Sequence, residues 1–170
     1  MAITSVAVVG ASGNVGKAVV TALLASGFAV TAITRPSSTA TFPPAVPVKR
    51  ADPTSFDELR AALAGFDAVV SATAHGVAAG AGQDALIDAA AAAGVRRFVP
   101  SEFGHSDERF GLSREGEAAR KMLDRKARTA AYLAEKASAN PGFSWTGVGT
   151  SMFFDWVSVS LRNAKGGKTD

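Results

Sequence analysis

Three glycines, Gly10, Gly13 and Gly16, follow the apolar run Val6 to Val9 in the stretch VAVVGASGNVG and open a helical pattern. In a strand–turn–helix unit each has a physical job. Gly10 permits the tight reversal, Gly13 lets the main chain approach a pyrophosphate, and Gly16 lets the helix close on the strand. Ser12 shares the loop, and the first helical turn, Asn14 and Val15, offers main-chain N–H groups suited to an anion. The spacing is G-x-x-G-x-x-G, not G-x-G-x-x-G, so the glycines alone are also compatible with an empty turn. The flanking strand and helix favour the phosphate cradle.

Three further positions could extend such a site. Arg35 follows a second β-rich run, Phe28 to Thr34, where an acidic residue would bind a ribose 2′-hydroxyl and an arginine accommodates a 2′-phosphate. No Asp or Glu stands beside it, and two serines follow, so NADP(H) is preferred to NAD; the alternative is a solvated loop arginine. Asp52 ends a third strand and could accept a hydrogen bond from an adenine amino group, or simply form the turn before Pro53. Thr73 ends a fourth strand, at the edge where open α/β sheets take ligands. His75 titrates in a useful range, but a lone histidine in a Gly/Ala-rich loop reads more naturally as solvated.

The elements that position these groups can be read from periodicity and punctuation. Strands are expected at Val6–Val9, Phe28–Thr34, Val46–Ala51, Asp67–Thr73, Arg97–Pro100 and Phe143–Gly149. Helices are expected from Asn14, with Val15, Val19 and Leu23 as its apolar stripe and Gly27 as its cap, over 56–64 behind a Ser55/Glu58 capping box, over 83–93 with Leu86 and Ile87 buried, and over 117–137. The Pro-rich segment 40–47 carries no helix. On the last helix Met122, Leu123, Ala127, Ala130, Leu133, Ala134 and Ala137 form one arc, with Lys126 inside it and Lys121, Asp124, Arg125, Arg128, Glu135 and Lys136 opposite. A lysine on a buried stripe is either snorkelling or aimed at something, and the pattern does not decide which. The fold class is α/β, a doubly wound parallel sheet of about six strands, in a nucleotide-binding domain over 1–150.

Composition narrows the function further. With 47% hydrophobic and 19% charged residues over 170 residues, the chain has the make-up of a globular domain with a substantial core. The net charge of +3 is scattered, without aromatic interleaving, so no nucleic-acid footprint is present. With no cysteine, disulfides, thiolate metal sites and a thiol nucleophile are excluded. No metal ligand cluster, secretory leader or membrane span is read, and the expected compartment is the cytoplasm.

GASGNVG near the start, Arg35 after the second strand and AAAAAGVRRFVPSEFG at 89–104 together resemble the NmrA-like and isoflavone-reductase-like group of atypical short-chain dehydrogenases, from about residue 5 to Trp156. The resemblance implies a Rossmann domain binding NADP(H) and, in enzymatic members, reduction of small conjugated or aromatic substrates. It implies that Pro100, Ser101, Glu102 and Phe103 lie beside the nicotinamide. It also implies that Lys126, the first lysine of KARTAAYLAEKA and six residues ahead of Tyr132, is catalytic and acts as general acid. Segment 105–116 reads as a mobile active-site loop. Family members continue into a smaller substrate domain, so 151–170 is expected to be the start of a truncated one. Met152, Phe153, Phe154 and Trp156 would then form an apolar patch favouring self-association or a protein partner. An NADPH-dependent reductase is the first reading; an NmrA-like redox sensor without turnover, or an inactive truncated paralogue, is the alternative.

Overall fold

A computed structural model describes residues 2–73, 82–104 and 117–150. His75, His105, the 105–116 loop and Met152, Phe153, Phe154 and Trp156 lie outside them. The six strands, β1 (Ser5–Val9), β2 (Ala29–Thr34), β3 (Val48–Arg50), β4 (Ala68–Ser71), β5 (Arg97–Val99) and β6 (Ser144–Trp145), form one parallel sheet in the order β3-β2-β1-β4-β5-β6. Four helices are described: α1 (Asn14–Ala25), α2 (Phe56–Leu63), α3 (Gly82–Ala92) and α4 (Glu117–Ala139). The chain is thus a Rossmann-like doubly wound domain. Strand order reverses between β1→β2→β3 and β4→β5→β6, so β1 and β4 flank the switch point.

The apolar runs form strands because both faces of the sheet are covered. Val6 and Val8 pack on one side with Val20 of α1, Val30, Ala32, Ala68 and Val70. Ala7 and Val9 turn to the other side, with Leu59 and Leu63 of α2, Leu86 and Ile87 of α3, Phe98, and Leu133 of α4. The crossover from β2 to β3 has no helix, as its prolines require; Val46 anchors it in the core. β3 and β6 are shorter than the hydrophobic pattern suggested because each pairs on one side only.

Four local expectations are corrected. The buried line of α1 runs through Gly16 and Val20, with Val15, Val19 and Leu23 only half-buried. Ser55 Oγ accepts from the Glu58 N–H at 3.3 Å, but the Glu58 carboxylate accepts from the N–H of Asp52 rather than returning to Ser55, so the box is open. Ala127 and Ala134 are exposed; the buried face of α4 runs Lys126, Thr129, Leu133. Alanine exerts little pull on helix orientation, and Leu133, fully buried against the core, sets the rotation instead. Lys136 is correspondingly half-buried, 2.7 Å from Asp88 of α3 and above the Tyr132 ring.

The edge of the sheet at the strand N-termini is closed by Asp67. Its Oδ2 accepts from the N–H and hydroxyl of both Thr4 and Ser5, and Oδ1 lies 2.6 Å from Arg96 Nη2, which also donates to the Ala2 carbonyl. These donors, the Arg96 guanidinium foremost, hold the Asp67 carboxyl far below the usual carboxylate range. A depressed folded-state pKa gives stability that is present above the unfolded value near 4 and lost as pH falls below it. Asp67→Asn is expected to lower stability at pH 7 and to flatten the decline between about pH 4 and 2, measured by urea denaturation across that range; an unchanged acid limb would remove Asp67 from the account.

Candidate functional site

The C-terminal ends of the strands surround a cleft of about 250 Å³. The loop after β1 supplies Gly10, Ser12 and Gly13; β2 supplies Ile33 and Thr34; Arg35 and Ser38 follow it, and Ala72 and Thr73 close the side after β4. Gly10 is held at φ +79°, and a Cβ there would meet the Ala72 carbonyl oxygen at 2.5 Å. The first loop and the chain leaving β4 can therefore touch across the switch point only with glycine at this position. Gly16 packs equally tightly, since a Cβ there would overlap the Gly10 carbonyl oxygen. Gly16 thus serves the close packing expected of it, and Gly10, expected to permit the reversal and found at positive φ, makes a close approach to Ala72 besides.

The cleft has polar groups left for a ligand. α1 has no side-chain cap at Gly13, although α2 is capped by its own Ser55, so the donors of the first turn of α1, from Asn14 and Val15 onward, remain available to an anion. Thr34 Oγ1 is buried and, among the described residues, without a hydrogen-bond partner. Arg35 is exposed on the cleft wall, beside Ser38. An uncapped helix N-terminus, an orphan hydroxyl and a cation along one wall fit a phosphorylated dinucleotide. Asp52 lies next to this wall, between the lining residues Ala51 and Pro53, and its Oδ1 accepts from the N–H and hydroxyl of Thr54, which also lowers its pKa. Its turn-forming role is realised.

A second polar cluster lies after β4 and β5. Gln83, in the first turn of α3, is buried; its Oε1 accepts from Ser71 Oγ at 3.2 Å and from the Ser101 N–H at 3.0 Å. Ser101 Oγ donates to the Thr73 carbonyl at 2.8 Å. The Pro100–Phe103 segment is thereby tied to the strand end carrying Thr73. Sequence reading missed Gln83. The available signal was that it is the chain's one glutamine, in the first turn of an alanine-rich helix.

Pro100 is fully buried, Phe103 packs against the apolar cluster on the α1 side of the sheet, and Glu102 turns toward α4. There Lys126 Nζ donates to the Glu102 carbonyl at 2.9 Å and stands 3.6 Å from its carboxylate, both side chains being 8% exposed. The lysine on the apolar stripe is therefore aimed at a partner, and snorkelling is ruled out by its burial. Burial pushes the Glu102 carboxyl up from its ordinary value, and the Lys126 ammonium opposes the rise. Tyr132 is placed elsewhere, donating to Asp88 at 2.7 Å with Lys136 on the same carboxylate; the trio fastens α4 to α3.

The fold and the cleft define a nucleotide-binding domain of the NAD(P)-dependent kind. A family model described as NAD(P)H-binding matches residues 10–169, and the chain belongs to that family. It is 39% identical over 167 residues to the oxidoreductase aprR of Aspergillus flavus, covering 95% of this chain and 52% of that protein. It is 37% identical to the oxidoreductase poxI of Penicillium oxalicum over 86% of this chain and 45% of that one. The chain thus spans about half the length of the curated relatives it matches. A solved structure of AtPrR2 with NADP+ and (+)pinoresinol superposes with a TM-score of 0.74 at 26% identity, covering 90% of this chain and 51% of that one. A leucoanthocyanidin reductase–NADPH complex from Vitis vinifera gives 0.68 at 25% identity over 84% of this chain and 48% of that one. Among the described residues no group of acidic or histidine side chains could hold a metal, and no helix is long and apolar enough to cross a membrane.

A raised carboxyl destabilises the fold as pH climbs from its unfolded pKa, about 4.3, through its folded one, because the buried charge must then be borne. Lys126→Met removes the charge that offsets this, and is expected to cost about 3 kcal/mol at pH 8 and clearly less at pH 5. Adding Glu102→Gln should restore part of the loss. Equal losses at both pH values, measured by denaturation, would mean that the pair is not coupled.

Proposed function

We propose that this chain is the cofactor-binding part of an NADPH-dependent oxidoreductase of the isoflavone-reductase-like kind, acting on a small conjugated or aromatic substrate with Lys126 as general acid. The carrying observation is the buried Lys126 ammonium, held at Glu102 in the segment that leaves β5 on the cleft edge of the sheet. A buried lysine with one carbonyl and one carboxylate partner is expensive for a purely structural helix contact, and its cost is understandable at a site that handles protons. The oxidoreductase names of the relatives, and neighbours solved with NADP+ or NADPH, support the same reading.

In this reading Gly10, Ser12, Gly13 and the first turn of α1, Asn14, Val15 and Gly16, receive the pyrophosphate, and Arg35 with Ser38 receives the adenosine 2′-phosphate. Thr73 and the Pro100–Phe103 segment, fastened together through Ser101, border the nicotinamide. The reduced nicotinamide supplies hydride when bound. Lys126 Nζ, protonated, holds the proton for a substrate oxygen that gains negative charge, and is left as a neutral amine when it gives that proton up. Glu102 sits against that ammonium and holds Nζ in place, through its carbonyl at 2.9 Å and its carboxylate at 3.6 Å.

Calorimetric titration tests the cofactor side. NADPH should bind more tightly than NADH, and Arg35→Ala should weaken NADPH by roughly ten- to hundred-fold, the worth of charge-assisted hydrogen bonds, with little effect on NADH. An Arg35→Ala variant with unchanged NADPH affinity would refute the assignment. On the catalytic side, NADPH consumption with an enone acceptor should disappear in Lys126→Met while NADPH still binds. Binding without consumption in the unsubstituted chain would favour the sensor reading.

A further inference from the structure

Arg50, the last residue of β3, stands opposite Thr34 in the parallel register, one residue from Arg35. Among the described residues its side chain pairs with no carboxylate. Nη1 instead donates to three main-chain carbonyls of the segment that leaves β2: Pro36 at 2.8 Å, Ser38 at 2.9 Å and Arg35 at 3.3 Å. That segment is a turn in its own right, closed by the Ser38 N–H on the Arg35 carbonyl at 3.0 Å, with Pro36 at the position where its fixed φ suits a turn. Ser38 Oγ accepts from the Ala40 N–H at 3.3 Å, which leaves the hydroxyl proton for another acceptor.

We propose that Arg50 is a positioning residue for cofactor choice: its guanidinium gathers the 35–38 carbonyls on one side, so that Arg35 and the Ser38 hydroxyl face the cleft as a preformed receptor for the adenosine 2′-phosphate. The inference rests on the reading of Arg35 given above and assigns a role to a residue that the cofactor does not touch. A two-residue recognition set on an exposed turn would otherwise have to be ordered by the ligand, at an entropic cost taken from affinity. Arg50 removes that cost in advance, and its charge, lodged among carbonyl dipoles, adds to the positive field at the end of β2. The three contacts share the two hydrogens of one nitrogen, so none is strong alone, and a lysine ammonium, though it carries a third hydrogen, ends one bond short of the position that Nη1 holds. NADH, with no 2′-phosphate, draws nothing from this arrangement.

The test is titration of the full chain with NADPH and NADH for the unsubstituted protein, Arg50→Met, Arg50→Lys, Arg35→Ala and the double variant Arg35→Ala/Arg50→Met, with amide exchange at Ser38 as a cofactor-free readout. Arg50→Met should weaken NADPH roughly ten-fold and leave NADH within about two-fold. Arg50→Lys, which keeps the charge on a stem one bond shorter, should recover less than half of the loss on a logarithmic scale. The Ser38 amide should exchange faster in both Arg50 variants. Because Arg50 acts through the turn that carries Arg35, the double variant should be scarcely weaker than Arg35→Ala alone. Equal weakening of NADPH and NADH would make Arg50 merely structural and overturn the proposal. So would an unchanged NADPH affinity in Arg50→Met while Arg35→Ala loses its preference, and that result would leave the 2′-phosphate reading intact. An Arg35→Ala variant that keeps its NADPH preference, or an unsubstituted chain that binds neither dinucleotide, would overturn the underlying reading and this proposal with it.

Discussion

The contact on which the site depends is the meeting of two main chains at the switch point, where the loop after β1 touches the chain leaving β4. Gly10 sits so close to the Ala72 carbonyl that no side chain fits, and Gly16 is pressed against Gly10 in turn. These two approaches bring the end of β1, the start of α1 and the end of β4 together, and the cleft is the space left above them. Arg35, just past β2, lines the cleft from farther away, and β2 is placed by its register against β1, as β5 is against β4.

The two ends of the sheet treat their polar groups differently. At the N-terminal end Asp67 is saturated with donors from Thr4, Ser5 and Arg96. At the C-terminal end the helix that follows β1 has no side-chain cap, Thr34 Oγ1 lacks a partner among the described residues, and a lysine is buried against Glu102. Each of the latter weakens the fold, since unpaired buried hydroxyls and buried ions carry desolvation penalties. A fold that satisfies one edge and leaves the other deficient has reserved the second for a ligand. This asymmetry is an argument for a binding edge that does not depend on any motif.

Much of this was legible because it depends on the chain's local chemistry. β1 and β4 are uninterrupted apolar runs, glycines at 27, 65 and 94 end helices with positive φ, and Arg35 follows a β-branched strand, so the sheet, its crossovers and one wall of the cleft follow from pattern alone. Helix rotation was less legible. Periodicity placed Lys126 and Leu133 on the inner face of α4 correctly but put Ala127 and Ala134 there as well, because alanine is apolar without being large enough to determine which way a helix turns.

What the sequence concealed are contacts between residues far apart in the chain whose types are individually ordinary. Gln83 joins β4 to the segment after β5, Asp88 collects Tyr132 and Lys136 from the neighbouring helix, and Glu102 meets Lys126 across 24 positions. Arg50 is the clearest case, since a basic residue at the end of a short edge strand reads as solvent-facing decoration. Its function arises only because parallel pairing sets it opposite Thr34, within reach of carbonyls that a turn has already pointed the same way. Periodicity sees which residues share a face of one element; it has no access to a side chain whose partners are another segment's backbone. In a domain of this kind a motif suggests which residues meet a ligand, and those that hold them in place become visible only when the strands are paired.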